Sequence, residues 1–420
     1  MLEEYFKNPK VLSLVKDKSY GPGIHYLTEY LSKQGYSIRT ITDYLQAAAH
    51  FNYWLRREHI PTHSVHEATA NKFLYEHFKD CRCPIAKGGP IRHSRPAIKH
   101  FLDVLRIHDI VALPKNPVPI SPMDQLLRDF GKHIERVNGA TLSTVHLYSR
   151  HTREFLRAKY RDGPIELKNL CVKDVRKYVT TKAGGYKPGT VKSLATSLRV
   201  FFRFLRITNQ IEHSLEDAVP TVPHWKLSTL PKYLTGEQLQ YLLLSFNMST
   251  AIGRRDRAMT VLMSGIGLRS SEVAQLTLED INWQQGTIQM KESKSRHASS
   301  LPLPREVGEA LAAYLQKGRP HTKERCIFVS HAFPIGQPLS PSAVRIAIRR
   351  AFQRCALPVP SYGTHVLRHT LATQLLQKGA TLKEIADILR HHSIETTNIY
   401  AKVDLRQLAQ VALPWPEVKP

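Results

Sequence analysis

The 420-residue sequence has few cysteines, no long apolar run and a shortage of acidic residues. Its 5 cysteines show no even framework of spacings, which argues against a disulfide-built secreted fold and predicts a reducing cytoplasm. The N-terminal residues Met1–Tyr5 lack the basic start and apolar core of a signal peptide, and no apolar run approaches the roughly 20 residues of a membrane span. We therefore expect a soluble cytoplasmic protein with no membrane partner.

Acidic side chains are outnumbered along the whole chain. There are 35 Asp+Glu against 60 Lys+Arg, which gives a formal net charge of +25. This excess predicts a polyanionic partner, with nucleic acid ahead of a membrane surface, although a basic but otherwise ordinary enzyme is the alternative. With 42% hydrophobic residues, the chain is long enough to form two or three domains, each with its own core.

Two proline-rich segments, 116–122 and 219–225, predict linkers because proline cannot continue a helix. We therefore predict helical domains at 1–118 and 119–225 and a third domain at 226–420. One helical pattern also recurs, which favours two successive related domains over two unrelated amphipathic helices. Its related residues lie 104 positions apart: Ser37 and Thr141, Thr40 and Thr144, Tyr44 and Tyr148, and Phe51 and Phe155.

A Cys-x-Cys pair, Cys81 and Cys83, lies near His93 in a loop between the two copies of this pattern. Structural zinc sites usually show two to four residues between paired cysteines, together with a second matching pair. No such second pair accompanies these cysteines. We therefore favour a basic loop and expect no metal and no cofactor.

In the second helical region, a glycine-rich approach leads into a helix with basic side chains. Such side chains suit contacts with phosphate, although a solvated basic face is the alternative. The candidates for contact with a DNA backbone are Lys187, Thr190, Lys192, Arg199 and Arg203.

The third predicted domain first offers an arginine after a tight glycine turn. Ser270 or Ser271 can cap the helix that follows, so Arg269 is expected beside a helix N-terminus, where an anion is favoured. Apolar alternation at 287–290 and 300–303 predicts a hairpin. Lysines near the tip of that hairpin can reach into a groove.

A second group of polar residues follows on predicted short helices. His365 and Arg368 are three residues apart on a helix that Thr364 can cap, so both face the same way. His369 turns to a different face, and we interpret it as an ordinary polar residue. Tyr400 ends the series.

Two arginines, a lysine and histidines around a tyrosine suit attack on a phosphodiester. Arginines offer forked donors to the non-bridging oxygens, whose charge grows in the transition state. The tyrosine hydroxyl, with an ordinary pKa of about 10, needs a base to act as nucleophile. The leaving 5′ oxygen needs a proton from a lysine or histidine. No carboxylate cluster suited to a divalent metal accompanies these residues, which fits metal-free chemistry.

The order Arg, Lys, His-x-x-Arg, His, Tyr resembles the signature of the tyrosine recombinase (phage integrase) family over about 230–410. The local text also matches in three places: Gly-Leu-Arg-Ser-Ser-Glu at 267–272, His-Val-Leu-Arg-His-Thr-Leu-Ala-Thr at 365–373, and His-Ser-Ile-Glu-Thr-Thr-Asn-Ile-Tyr at 392–400. The resemblance implies catalytic roles for Arg269, Lys294, His365, Arg368, His391 and Tyr400.

By that resemblance, the two arginines clamp the scissile phosphate and His365 assists proton handling. His391 adds a phosphate contact, and Tyr400 forms a 3′-phosphotyrosyl link. Lys294 is the hairpin lysine and general acid. Lys291 is the alternative, because the sequence fixes the ends of the hairpin strands only to within a few residues.

The chain departs from the family at Arg390, where the family usually has glycine before the second histidine. Glycine accepts positive φ without strain, so Arg390 must carry a backbone cost or shift the turn. A shifted turn would give the role of His391 to His392.

The resemblance implies a mainly α fold with a small β-sheet. Two N-terminal helical DNA-binding domains, at 1–118 and 119–225, would precede an α+β catalytic domain at 226–420. It further implies a site-specific recombinase of a mobile element that acts on double-stranded DNA. We expect a dimer on each site and a tetramer in synapsis, with related recombinases as further partners. The setting would be the bacterial cytoplasm, at the nucleoid when DNA is bound.

Two rival functions remain at this point. A type IB topoisomerase uses related chemistry to relax DNA alone, and a non-catalytic architectural protein could keep the fold. The helical tandem in front and the Gly-Leu-Arg-Ser-Ser-Glu text favour the recombinase over the topoisomerase. The filled catalytic positions favour it over the architectural protein.

Overall fold

The chain was studied in a computed structural model. It describes residues 23–79, 91–112, 121–161, 163–223, 230–290, 299–356, 363–391 and 393–403, together with positions 2–5, 12, 81 and 83. The chain divides into two units, one formed by Met1–Leu113 with Thr229–Pro420 and the other by Pro114–Ser228.

The N-terminal part of the first unit is helical. Its helices are α1 (Leu2–Tyr5), α2 (Gly23–Lys33), α3 (Ile38–Arg57), α4 (Glu67–Tyr75) and α5 (Ile91–Ile107). Short 3-10 helices lie at Thr62–Ser64 and His77–Lys79. The helices pack on a core that is rich in aromatic side chains, including Phe51, Trp54, Phe73 and Phe101.

The second unit has a separate core and, in its described part, four helices: α6 (Pro122–Asn138), α7 (Leu142–Tyr160), α8 (Val172–Ala183) and α9 (Pro188–Ile207). A 3-10 helix lies at Leu167–Asn169. α6 begins sharply because the Ser121 hydroxyl accepts a hydrogen bond from the Asp124 backbone N–H and proline occupies the first helical position. Phe130, Phe155, Phe201 and Phe202 lie in its core.

The 104-residue repeat corresponds to equivalent local structure at the starts of α3 and α7. The Ser37 hydroxyl accepts a hydrogen bond from the Thr40 backbone N–H at 3.2 Å. At the matching position, the Thr141 hydroxyl accepts one from the Thr144 backbone N–H at 3.4 Å. The paired phenylalanines are both buried. The repeated pattern therefore encodes a capped helix with the same buried position.

The C-terminal part of the first unit contains a three-stranded antiparallel sheet, ordered β1 (Ile281–Asn282), β2 (Thr287–Met290) and β3 (Ser299–Pro302). β2 pairs with β3 in the register that places Ile288 opposite Leu301, and both side chains are buried. The alternation of apolar residues puts one face of the hairpin on the core. The predicted hairpin is confirmed, while residues 291–298 at its tip lie outside the described residues.

Seven helices accompany this sheet in the described residues: α10 (Gly236–Leu244), α11 (Ala251–Gly265), α12 (Ser270–Gln275), α13 (Arg305–Lys317), α14 (Pro341–Cys355), α15 (His365–Gln377) and α16 (Leu382–Leu389). 3-10 helices lie at Leu278–Asp280, Ile394–Thr396 and Tyr400–Val403. The expected mainly α fold with a small β-sheet is confirmed. No helix within the described residues has the length and apolarity needed to cross a membrane.

Candidate active site

Arg269 is positioned by a glycine turn and a carboxylate. Gly267 has φ +74°, and a Cβ there would lie 2.7 Å from Leu389 Cδ2, so both conformation and space favour glycine. Arg269 itself is the N-cap residue of α12, and its backbone N–H donates to the Glu272 carboxylate at 2.7 Å. The predicted cap by Ser270 or Ser271 is therefore wrong, because the helix already begins at Ser270.

Glu272 holds two arginines at once. One carboxylate oxygen accepts from Arg269 Nη1 at 3.2 Å, and the other accepts from Arg390 Nη2 at 2.8 Å. Burial raises the pKa of this carboxyl, but Arg390 and the Arg269 backbone N–H outweigh that effect and bring the pKa below its ordinary value. Glu272 is therefore ionised and orients both guanidinium groups.

Arg368 lies on α15 with 4% of its surface exposed. Its guanidinium donates to the backbone carbonyls of Gly267 and Leu389, which ties α15 to the glycine turn and to the end of α16. Burial and the nearby Arg269 lower its pKa to about 9, which still leaves the group cationic at neutral pH. With Arg269 and Arg390, three guanidinium groups surround one carboxylate, so this group of side chains suits an anion.

Thr364 was predicted to cap α15, and that prediction is wrong. Its backbone is already helical, with φ −61° and ψ −23°, and its side chain makes no capping hydrogen bond. His365 nevertheless begins the helix, three positions before Arg368 as predicted. Burial, and then the charge of Arg368, lower the pKa of His365. Its ring is therefore neutral at physiological pH.

Tyr400 lies in the last 3-10 helix, with 1% of its surface exposed. His369 Nδ1 lies 2.8 Å from the tyrosine hydroxyl. Burial raises the pKa of Tyr400 to about 12, partly offset by Arg368 and Arg269, so the phenol is protonated at neutral pH. Burial, with the nearby His365 and Arg368, lowers the pKa of His369 to about 4. The neutral ring can therefore accept the hydroxyl proton when Nδ1 is the unprotonated nitrogen.

His369 is the residue that sequence reasoning missed. The sequence predicts an ordinary polar residue there, because its position directly after Arg368 turns it to a different helix face. The available signal was its spacing from His365, because residues four apart share a helix face. The two rings lie 6.5 Å apart between centroids, and the His369 and Tyr400 rings 5.6 Å apart.

The departure at Arg390 does not shift the turn. Arg390 ends α16 in the left-handed conformation, at φ 52° and ψ 53°, so it carries the backbone cost. The His391 backbone N–H then donates to the Ala386 carbonyl at 2.9 Å, and its Nδ1 lies 2.7 Å from the Thr397 hydroxyl. The buried Arg390–Glu272 ion pair offers compensation for that cost. Lys291, Lys294 and His392 lie outside the described residues.

The DNA-backbone candidates on α9 divide into two groups. Lys187, Thr190 and Lys192 are exposed. Arg199 Nη2 instead donates to the carbonyls of Val219 and Pro220, at 3.0 Å each. Arg203 Nε donates to Glu216 at 3.0 Å. The first three are open to solvent, whereas the two arginines also bond to other groups of the second unit.

The described residues contain one cluster of possible metal ligands, formed by His50, His77, Cys81 and Cys83. The exclusion of zinc from the Cys-x-Cys pattern assumed that a second pair would be nearby in sequence. The structure instead brings two histidines to the cysteines, one from α3 and one from the turn before them. The second pair of possible ligands is therefore present in the fold, as two histidines, while the expectation of no metal stays a prediction. None of these four residues belongs to the group around Tyr400.

The chain is similar to proteins that carry integrase and recombinase names. Residues 232–406 match the model of the "Phage integrase family". The chain is 34% identical over 403 residues to "Putative integrase/recombinase y4rA" of Sinorhizobium fredii, covering 94% of this chain and 95% of that protein. It is 28% identical to "Putative integrase/recombinase y4rF" of the same organism, covering 99% and 96%.

A fold similarity extends these matches to a solved structure, that of the XerH site-specific recombinase bound to a palindromic difH substrate. It aligns with a TM-score of 0.55 and 23% identity, over 73% of this chain and 92% of that one. Most of this chain thus shares its fold with a solved structure. The similarity to y4rA also covers most of the N-terminal residues.

Proposed function

This chain belongs to the phage integrase family of tyrosine recombinases, and from that premise we propose that Tyr400 is the nucleophile with which it cuts and rejoins DNA. The protein is a site-specific recombinase. The assignment of Tyr400 rests on the position of its hydroxyl, which lies 2.8 Å from the neutral ring of His369 and near the buried Arg368. Relatives with integrase and recombinase names support the reaction class, and neither rival function finds support among them.

We assign the phosphate clamp to Arg269 and Arg368. Both are cationic and are anchored to Glu272 or to backbone carbonyls, so they need little reorganisation when a phosphodiester enters. Preorganised donors stabilise the charge that grows on the non-bridging oxygens in the transition state. His391, held by Thr397, adds a third donor at the same phosphate.

In the proposed reaction, Tyr400 Oη attacks phosphorus and forms a 3′-phosphotyrosyl bond while the bond to the 5′ oxygen breaks. The hydroxyl proton passes to a histidine, with His369 the nearest base and His365 beside it. Lys294 protonates the leaving 5′ oxygen. A 5′-hydroxyl of another strand then attacks the phosphotyrosine in the reverse sense. The phosphotyrosyl bond retains the energy of the broken phosphodiester bond, so rejoining the strands needs no cofactor.

DNA binding follows from the family and from the +25 net charge. We propose that residues 1–118 and 119–225 are helical DNA-binding domains and that 226–420 is the catalytic domain. Within the second domain, Lys187, Thr190 and Lys192 are the candidates for phosphate contact. We further propose a dimer on each site, a synaptic tetramer, and a role in the movement of a mobile element within the bacterial nucleoid.

A nicked suicide substrate tests the assignment, because the cleaved fragment diffuses away and traps the covalent intermediate. We expect the wild-type chain to form an adduct that survives SDS, and Tyr400→Phe to bind the same DNA without forming it. An adduct of wild-type yield in Tyr400→Phe would overturn the choice of nucleophile. Robust relaxation of plasmid that lacks a paired site would favour the topoisomerase alternative instead.

A further inference from the structure

Four side chains of the N-terminal helical part converge on one point. His50 lies on α3, His77 begins the 3-10 helix after α4, and Cys81 and Cys83 follow directly. Their ligand atoms all lie within 4.8 Å of one another. The two Nε2 atoms are 3.3 Å apart, and each has a cysteine sulfur beside it, Cys81 Sγ at 3.2 Å from His50 and Cys83 Sγ at 3.4 Å from His77.

Three of these separations are close to the edges of a tetrahedron of zinc size, and the other pairs of ligand atoms lie within 4.8 Å of each other. Zinc binds thiolate sulfur at about 2.3 Å and imidazole nitrogen at about 2.0–2.1 Å. Tetrahedral angles then place two nitrogens about 3.4 Å apart and a nitrogen and a sulfur about 3.6 Å apart. The observed nitrogen separation matches, and both nitrogen–sulfur separations are within a few tenths of an ångström.

A hydrogen-bonded cluster explains these contacts less well. Each Nε2 has either one proton or one lone pair, yet each has two close partners, the other Nε2 and a sulfur. Hydrogen bonds can therefore satisfy at most two of the three contacts. A metal cation at the centre can bind both histidine nitrogens and both cysteine sulfurs at once.

The surroundings also fit a structural metal site. His50 is 4% exposed and Cys83 6% exposed. Aromatic rings pack against the histidines, with the Phe73 centroid 5.0 Å from His50 and 5.4 Å from His77. The Cys83 backbone N–H points at Cys81 Sγ at 3.4 Å, as donors to a metal-bound thiolate do.

We propose that His50, His77, Cys81 and Cys83 bind one structural zinc ion. Two sulfurs and two nitrogens in a tetrahedral arrangement suit zinc, and four protein ligands leave no open position for a substrate. The ion would fasten the segment after α4 to α3, across a separation of 33 positions between His50 and Cys83. Its role is to stabilise the N-terminal helical core, outside the recombination chemistry.

The test uses the full chain, purified without chelator and with any affinity tag removed. We expect elemental analysis to find one zinc per chain. X-ray absorption at the zinc edge should show two sulfur and two nitrogen ligands. After exchange to Co²⁺, the protein should show the strong visible absorption of a tetrahedral site and a thiolate-to-cobalt charge-transfer band.

Cys81→Ser and Cys83→Ser variants should lose the metal or bind it at least tenfold more weakly. Cys171→Ser is the matched control, because Cys171 is an exposed cysteine outside the cluster, and it should keep one zinc per chain. If the site variants fail to fold, the ligand count of the wild-type chain decides alone. A wild-type chain that takes up no stoichiometric zinc, holds iron instead, or shows zinc without sulfur ligands would overturn the proposal.

Discussion

Arg390→Gly is the substitution whose outcome depends most clearly on the structure. It restores the residue that the family usually has at this turn, so the motif alone suggests a gain in stability. Arg390 has φ 52°, and a side chain in the left-handed conformation costs about 1 kcal/mol that glycine would recover. The same substitution, however, removes the cation from Glu272.

The size of that loss follows from burial. The Arg390 and Glu272 side chains are 9% and 15% exposed, and Nη2 lies 2.8 Å from the carboxylate. Removing one partner of a buried pair costs about 3–5 kcal/mol, and we take the lower end because Glu272 keeps Arg269. The net expectation is therefore a loss of about 2 kcal/mol.

Hydrogen exchange of the backbone amides of residues 382–391 measures this loss of stability locally. A local measurement is preferable because a chain with more than one unit has no single free energy of unfolding. A change of about 2 kcal/mol should accelerate exchange through local opening roughly 30-fold. Arg390→Ala is the matched control, since it loses the ion pair and keeps the strained backbone. It should be about 1 kcal/mol less stable than the glycine variant. Exchange in Arg390→Gly that is as slow as in the wild-type chain would refute the reasoning.

Three further outcomes follow from the described contacts. His369 has a pKa of about 4 against an ordinary 6.5, so stability should fall by up to about 1.4 kcal/mol per pH unit as pH drops through that range. His369→Asn should reduce this dependence in hydrogen exchange of the α15 amides and slow cleavage roughly 100-fold without weakening DNA binding. Gly267→Ala should lower the melting temperature, because its Cβ meets Leu389 and its φ is +74°; an unchanged value would contradict this. Lys192→Ala should reduce the salt dependence of DNA affinity by about one phosphate contact, whereas Arg199→Ala should mainly reduce stability.

The parts of the site that a local pattern encodes could be predicted from sequence. Alternating apolar residues set the register that buries Ile288 and Leu301, so the hairpin follows from periodicity. The spacing of His365 and Arg368 places both on one helix. The motif text also placed Tyr400 in the predicted site, although its contact with His369 of α15 is a tertiary contact that spacing does not encode.

Helix starts were less predictable. Thr364, Ser270 and Ser271 are all good capping residues by type. Yet at the start of α12 the Glu272 side chain accepts the hydrogen bond from the Arg269 backbone N–H, and Thr364 already has helical backbone angles. The Glu272–Arg269 contact is local, but Glu272 also pairs with the distant Arg390. Arg368 likewise donates to the distant carbonyls of Gly267 and Leu389, and cap preference by residue type does not include such contacts.

The cluster of histidines and cysteines shows the same limit over a longer distance. Cys81 and Cys83 are visible as a pair, but His50 lies 31 positions before Cys81, inside an amphipathic helix. Nothing local distinguishes it from a core histidine. Only the packing of α3 against the segment after α4 brings its Nε2 to the sulfur.

The most direct measurement of the central claim is mass spectrometry of the trapped covalent complex after protease and nuclease digestion. We expect the nucleotide on the peptide that contains Tyr400, joined through a 3′-phosphate, with a free 5′-hydroxyl on the released strand. A nucleotide on another residue, or a 5′-phosphate link to Tyr400, would contradict the account.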